Sequence, residues 1–167
     1  IQESFMDGPV KKIMVYVDVT EESITAAQYG ICLARATGAE FYALYIVNTR
    51  ALSDLVNAKI FLQAEEEEYK NDLEHDADRY LNHIKQMARE KGVAVKTLKS
   101  SGSVNVEIKN KVNENEIDLL IIGELSKIRS RRDELYNETE RAMRSVNCSV
   151  LIAKVEERIW SLYNQLV

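Results

Sequence analysis

The chain has 167 residues, the size of one ordinary domain and enough to bury a core. Apolar residues make up 46% and charged residues 29%, which sets it with globular rather than disordered chains. The net charge of −5 argues against nucleic acid as the main partner, because backbone phosphates demand a cationic face. No apolar run approaches the length of a membrane span and no signal-peptide pattern opens the chain, so no membrane partner is expected. Cys32 and Cys148 are too few and too far apart for a disulfide framework or a zinc site. A reducing, cytoplasmic setting is the simplest reading.

Residues 1–10 carry no period and include the turn signal Gly8-Pro9. They are expected to form a flexible segment outside the fold. Ile13 to Val17 reads as a first strand, ending at Asp18. Thr20 is the expected N-cap of a helix with Glu21 and Glu22 in its first turn, where the helix dipole favours carboxylates. Ile24, Ala27, Ile31 and Ala34 keep helical spacing up to a glycine stop at Gly38. Phe41 to Val47 is a second strand of the buried type, and Asn48 to Asn57 reads as an irregular connection.

A long helix is predicted from about Ala58 to Lys91, with Leu73, Ala77, Tyr80, Leu81, Ile84, Met87 and Ala88 as its inner stripe. Its Glu65–Glu68 run reads as a solvated face rather than a patch for a basic partner. Val93 to Leu98 alternates as a third strand, and 100–103 turns the chain. Ser103 is the expected cap of a helix carrying Val104, Ile108 and Val112.

The next stretch, Asp118-Leu119-Leu120-Ile121-Ile122-Gly123, organises the rest. Four aliphatic residues in a row, stopped by glycine, suit a strand buried on both faces of a parallel sheet. After Gly123 comes a polar, basic segment, then a helix beginning near Asn137 with Leu135, Thr139, Ala142, Met143 and Val146 on one side. Asn137-Glu138-Thr139-Glu140 fits a capping box if Asn stands in for Ser or Thr. Ser149 to Lys154 is the last strand. The alternation of strands and helices predicts an α/β fold, an open five-stranded parallel sheet with helices on both faces. Ligands of such sheets sit in the crevice at the carboxyl ends of the strands, here beside Asp18 and Gly123. Residues 156–167 form a separate amphipathic helix with Ile159, Leu162, Tyr163 and Leu166, too short to stand alone. It must dock on its own domain or on a second subunit, and its own domain costs less chain-ordering entropy.

These marks, in this order across residues 11–155, resemble the universal stress protein family. They are Lys12 to Asp18, Phe41 to Val47, Gly102 through Ile108 and Val112 to Gly123, and Glu140 to Ile152. The resemblance implies the adenine-nucleotide alpha-hydrolase-like fold and a homodimer paired through the last strand, Ser149 to Lys154. An accessible edge with Val150, Leu151 and Ile152 makes that pairing physically reasonable. ATP-binding members carry a glycine, two residues, a second glycine, nine residues, then glycine followed by Ser or Thr. By that resemblance the cofactor-binding positions are Asp18, Ile46, Gly123, Ser126 and Asn137. Ser126 stands at the second glycine and Tyr136 at the third, where a bulky side chain should block a triphosphate. Tyr16 falls where binders carry a small residue or proline, so Tyr16 and Tyr136 are expected to help fill the nucleotide crevice.

Two function classes follow. The first is a non-catalytic protein-interaction or regulatory module of the stress-response family, without bound nucleotide or other cofactor. The alternative is an ATP- or AMP-binding switch or slow ATPase. The cations of 127–132 could hold a phosphorylated ligand or an acidic partner, but a solvated loop is the simpler account. His75 and His83 lie eight residues apart on one helix, about 12 Å along its axis, too far to share a metal ion. No nucleophile elbow, paired catalytic carboxylates or Walker loop is present, so no catalytic residue, enzyme activity or metal is expected. Both cysteines are expected to be buried small hydrophobes.

Overall fold

The computed structural model describes residues 8–59, 63–125 and 138–167. Five parallel strands form one sheet in the order β3-β2-β1-β4-β5. They are β1 (Lys12–Val17), β2 (Glu40–Val47), β3 (Val95–Ser101), β4 (Leu119–Gly123) and β5 (Ser149–Ala153). The helices are α1 (Glu21–Thr37), α2 (Thr49–Asn57), α3 (Gln63–Glu90), α4 (Val104–Glu114), α5 (Glu138–Ser145) and α6 (Glu156–Gln165).

Because strand side chains alternate, each apolar run serves two cores at once. On one face Ile13, Val15 and Val17 of β1 pack with Ile121, Phe41 and Tyr45 beneath α1, α3 and α6. On the other, Met14 and Tyr16 pack with Leu44, Ile46, Leu120 and Ile122 beneath α4 and α5. Such two-sided burial leaves β1 and β4 almost without exposed surface, and burying each Val, Leu or Ile contributes about 1.5–3 kcal/mol.

Local chemistry fixes the ends of the elements. Thr20 caps α1, its hydroxyl accepting the Ser23 N–H at 3.3 Å, and Gly38 ends the helix at φ 75°. At the amino end of the sheet Asp118 Oδ2 accepts the backbone N–H groups of Lys11 and Lys12, each at 2.9 Å. Those bonds tie β4 to β1 in the register Ile13 with Leu119 and Val15 with Ile121.

Several boundaries differ from expectation. Asn48 to Asn57 is not irregular: it holds α2, because Leu52 is buried and Leu55 and Val56 are half-buried on one helical side. Among the described residues helix α3 spans Gln63–Glu90, and the predicted start at Ala58 fails because Lys59 takes a positive φ of 60°. Strand β3 runs on through Ser100 and Ser101, which pair with Ile46 and Val47, instead of turning there. Cys32 and Cys148 are half-buried, not buried, and burial pushes both thiols up from the ordinary cysteine value.

Helix α6 docks on its own domain. Ile159 and Tyr163 enter the first core, and the Tyr163 hydroxyl donates to the Met87 carbonyl at 3.0 Å. Lys91 clamps the other side, its Nζ donating to the Leu166 carbonyl at 2.9 Å and lying 4.9 Å from the Tyr163 ring centre.

Candidate functional site

Strand order reverses between β1 and β4: the chain steps from β1 to β2 and β3 on one side, then to β4 and β5 on the other. A crevice opens where neighbouring loops diverge at such a switch point. Here it is lined by Tyr16 and Asp18 from the end of β1 and by Thr20, Glu22 and Ser23 from the start of α1. Gly123, Glu124 and Leu125 from the end of β4, with Thr139 of α5, complete the lining. Its volume is about 90 Å³.

The α1 side is locked by a local hydrogen-bond set. Asp18 Oδ1 accepts the Thr20 N–H at 2.9 Å and also the Thr20 hydroxyl. Buried Ser23 accepts the Asp18 N–H at 3.1 Å, and its own hydroxyl faces the Asp18 and Thr20 carbonyls at 3.0 Å each. This Asx-type turn holds the carboxylate at the crevice edge without help from elsewhere in the fold.

Gly123 is required by close approach. A Cβ there would sit 2.5 Å from the carbonyl carbon of Glu22 and overlap its oxygen, so only glycine lets α1 begin against β4. That packing reason stands beside the phosphate-approach reason expected from the motif.

Tyr16 is only 7% exposed, and its ring belongs to the second core while lining the crevice. Burial first, then the nearby charge of Asp18, pushes its phenol far above the ordinary tyrosine value, so it stays protonated at neutral pH. Among the described residues its hydroxyl has no hydrogen-bond partner.

Glu138 was not singled out as a functional position by the sequence. Its Oε2 accepts the Ser103 hydroxyl and the Asn105 N–H, both at 3.0 Å. Ser103 does stand at the N-cap of α4, but its hydroxyl makes no capping bond, and a carboxylate from α5 does that work across the fold. The positive end of α4, which would otherwise attract an anion, is thereby occupied.

The structure thus brings Asp18 and Gly123 to one crevice. Ile46 is buried one strand away on the same face as Tyr16 and is not among the lining residues. Ser126, Tyr136, Asn137 and the 127–132 cations lie outside the described residues. His75 and His83 are both exposed on α3. Among the described residues no group of three His, Cys, Asp or Glu could hold a metal ion, and no helix is long and apolar enough to cross a membrane.

A larger depression, about 460 Å³, lies at the opposite end of the sheet, lined by Arg35, Gly38, Glu40, Gly92 and Lys96 among others. Helices α1 and α3 both end there, and their carbonyl ends disfavour anions. Strand order, not size, picks the crevice beside Asp18.

A doubly wound parallel sheet with its crevice at the β1/β4 switch is the class of protein that the geometry defines. Residues 9–154 match the model of the universal stress protein family, and the chain belongs to that family. It is 30% identical over 146 residues to the universal stress protein MJ0531 of Methanocaldococcus jannaschii, covering 86% of this chain and 82% of that one. Among solved structures it resembles the hypothetical protein MJ0577 with a TM-score of 0.72, 23% identity and coverage of 89% and 98%. It also resembles a universal stress protein from Archaeoglobus fulgidus in complex with dAMP, with a TM-score of 0.60, 14% identity and coverage of 88% and 100%.

Proposed function

We propose that this chain is a non-catalytic interaction or regulatory module of the universal stress family that works without bound nucleotide. The observation that carries this reading is the crevice itself. At about 90 Å³ it falls well short of the roughly 300–1,000 Å³ of ordinary small-molecule pockets, and Tyr16 contributes to its wall. Its described lining holds three carboxylates, Asp18, Glu22 and Glu124, and no cation. A triphosphate brought there would meet like charge, while the nearby α4 terminus is taken by Glu138.

The test is nucleotide content. Protein purified without added nucleotide is denatured and the released small molecules are analysed, with ATP-Mg titrated calorimetrically into the intact protein. We expect an empty protein and no binding heat. Adenine nucleotide recovered near one per subunit would overturn the reading.

The alternative, an ATP- or AMP-binding switch or slow ATPase, is favoured by the position of Asp18 and Gly123 at one crevice and by the dAMP complex of the Archaeoglobus fulgidus neighbour. In either case the chain pairs as a homodimer through β5. This strand is an edge of the sheet, and its Val150, Leu151 and Ile152 are only half-buried. Light scattering should give twice the chain mass, and a monomer at micromolar concentration would reject the pairing.

A further inference from the structure

Helix α5 is held to the fold differently from the other helices around it. Helix α1 buries Ala26, Ala27, Ile31 and Ala34 in the first core, and α4 buries Val104, Ile108 and Val112 in the second. Of the eight residues of α5, Ala142 is the buried one, with Met143 half-buried beside it. Its main packing partner is α4 rather than a strand. An alanine methyl takes far less apolar surface out of water than a valine or isoleucine, so packing does little to hold α5 in place. Elements with few buried apolar contacts open locally, at a free energy below that of global unfolding.

What holds α5 is polar. Glu138, Ala142 and Ser145 fall at i, i+4 and i+7, which places them on one face of the helix. That face meets the start of α4, where Glu138 Oε2 accepts the Ser103 hydroxyl and the Asn105 N–H. At the other end of α5 the Ser145 hydroxyl faces both Asn105 Oδ1 and the Ala142 carbonyl at 3.3 Å, and its one proton makes a weaker tie. A hydrogen bond to a charged group is about twice as strong as a neutral one, so Glu138 carries most of the hold. The next residue, Thr139, lines the crevice together with Tyr16. If α5 swings off α4, Thr139 leaves the wall. Strands β1 and β4 keep their pairing, and Gly123 keeps its seat against the Glu22 backbone.

We propose that α5 is a strap latched onto α4 by Glu138, and that its release opens the crevice beside Tyr16 while the sheet stays folded. The narrow crevice described above is then the latched state, whether or not a nucleotide binds there. Two probes of the whole protein test this: native-state amide hydrogen exchange, and nitration of Tyr16 by tetranitromethane, mapped by peptide mass spectrometry. Both are followed from zero to sub-denaturing urea. In the parent, α5 amides should exchange at least about tenfold faster than those of β1 and β4, and with little urea dependence, because a local opening exposes little surface. Tyr16 nitration should share that shallow dependence. Glu138→Ala should raise α5 exchange and Tyr16 nitration about tenfold or more, as for one hydrogen bond to a charged group. Glu138→Gln keeps an acceptor oxygen and the shape of the side chain, so it folds even where Glu138→Ala does not, and should raise both severalfold. Ser145→Ala should raise both about twofold. Exchange of α5 that matches β1 and β4 in rate and urea slope overturns the inference, since α5 then opens only with the sheet. So does α5 exchange unmoved by Glu138→Gln and Glu138→Ala, or Tyr16 nitration that stays at the parent rate while α5 exchange rises.

Discussion

Asp118 and Asp18 stand at opposite ends of the β1–β4 pair, both half-buried, and the chain uses the two carboxylates differently. Asp118 reaches across more than a hundred residues of sequence to take two backbone N–H groups, so its charge belongs to the sheet register. Among the described residues the Asp18 carboxylate bonds only Thr20, two residues on, so its charge serves a local turn at the crevice edge. The amino end of the sheet is closed by a polar staple. Between β1 and β4 the carboxyl end is closed by packing, through Gly123 against the first turn of α1, with Asp18, Glu22 and Glu124 lining the crevice beside it. A binding surface belongs at the end where polar groups are not consumed by the fold.

The largest effect should come from the packed closure. Gly123→Ala drives a methyl group into the Glu22 backbone, which cannot swing aside as a side chain would. Overpacking of this kind costs about 1–3 kcal/mol, and a rigid backbone neighbour argues for the upper end, about 3 kcal/mol. Urea denaturation would show it as a lower midpoint with an unchanged slope. A shift under 0.5 kcal/mol would mean that α1 slides freely and that the carboxyl end is not closed by this contact.

Next comes the difference between the aspartates. Asp118→Ala orphans two N–H groups that a charged oxygen now satisfies, and should cost about 2 kcal/mol, since Lys11 is exposed and water can replace part of the loss. Asp18→Ala should cost about 1 kcal/mol, the worth of a helix-entry turn. Equal losses in the same denaturation experiment would erase the contrast drawn between a long-range staple and a local turn.

The contrast also marks what could be read from the sequence. The inner strands were legible, because a doubly buried parallel strand writes itself as an unbroken apolar run, as in 119–122, whereas the exposed edge strand β3 was placed but its end was not. The caps at Thr20 and Gly38 were legible because their partners lie within four residues. Helix α2 was not, since one buried leucine and two half-buried residues make too short a stripe to show a period. Nor was the capping of α4 by Glu138, whose partners lie 33 and 35 residues away and meet it only through the fold. At the crevice, Asp18 and Gly123 were visible through the family pattern, whereas Ile46 gave no sign that its side chain would face the core. Glu22 read correctly as a dipole-matching acid, but its convergence with Asp18 and Glu124 depends on strand order, which no local pattern carries.

The smallest effect at neutral pH, and the sharpest probe of the crevice end, is alkaline. Burial holds the Tyr16 phenol above its ordinary value of 10.0, and burial with nearby Asp76 and Asp18 pushes Tyr45 up to about 12. Both phenols bind their protons more tightly in the folded chain than in the unfolded one. Their contribution to stability is therefore full below pH 10, falls as the unfolded tyrosines ionise, and for Tyr45 is gone above about pH 12. Tyr16→Phe should change stability by under about 1 kcal/mol at pH 7, because the lost hydroxyl has no described partner, and should flatten the loss above pH 10. Tyr45→Phe should flatten it less, since its shift is smaller. Denaturation midpoints of the two variants and the parent from pH 8 to 11.5 measure this directly. If Tyr16→Phe tracks the parent across that range, the phenol is already wet in the folded chain, and the crevice end is no more shielded than the surface around it.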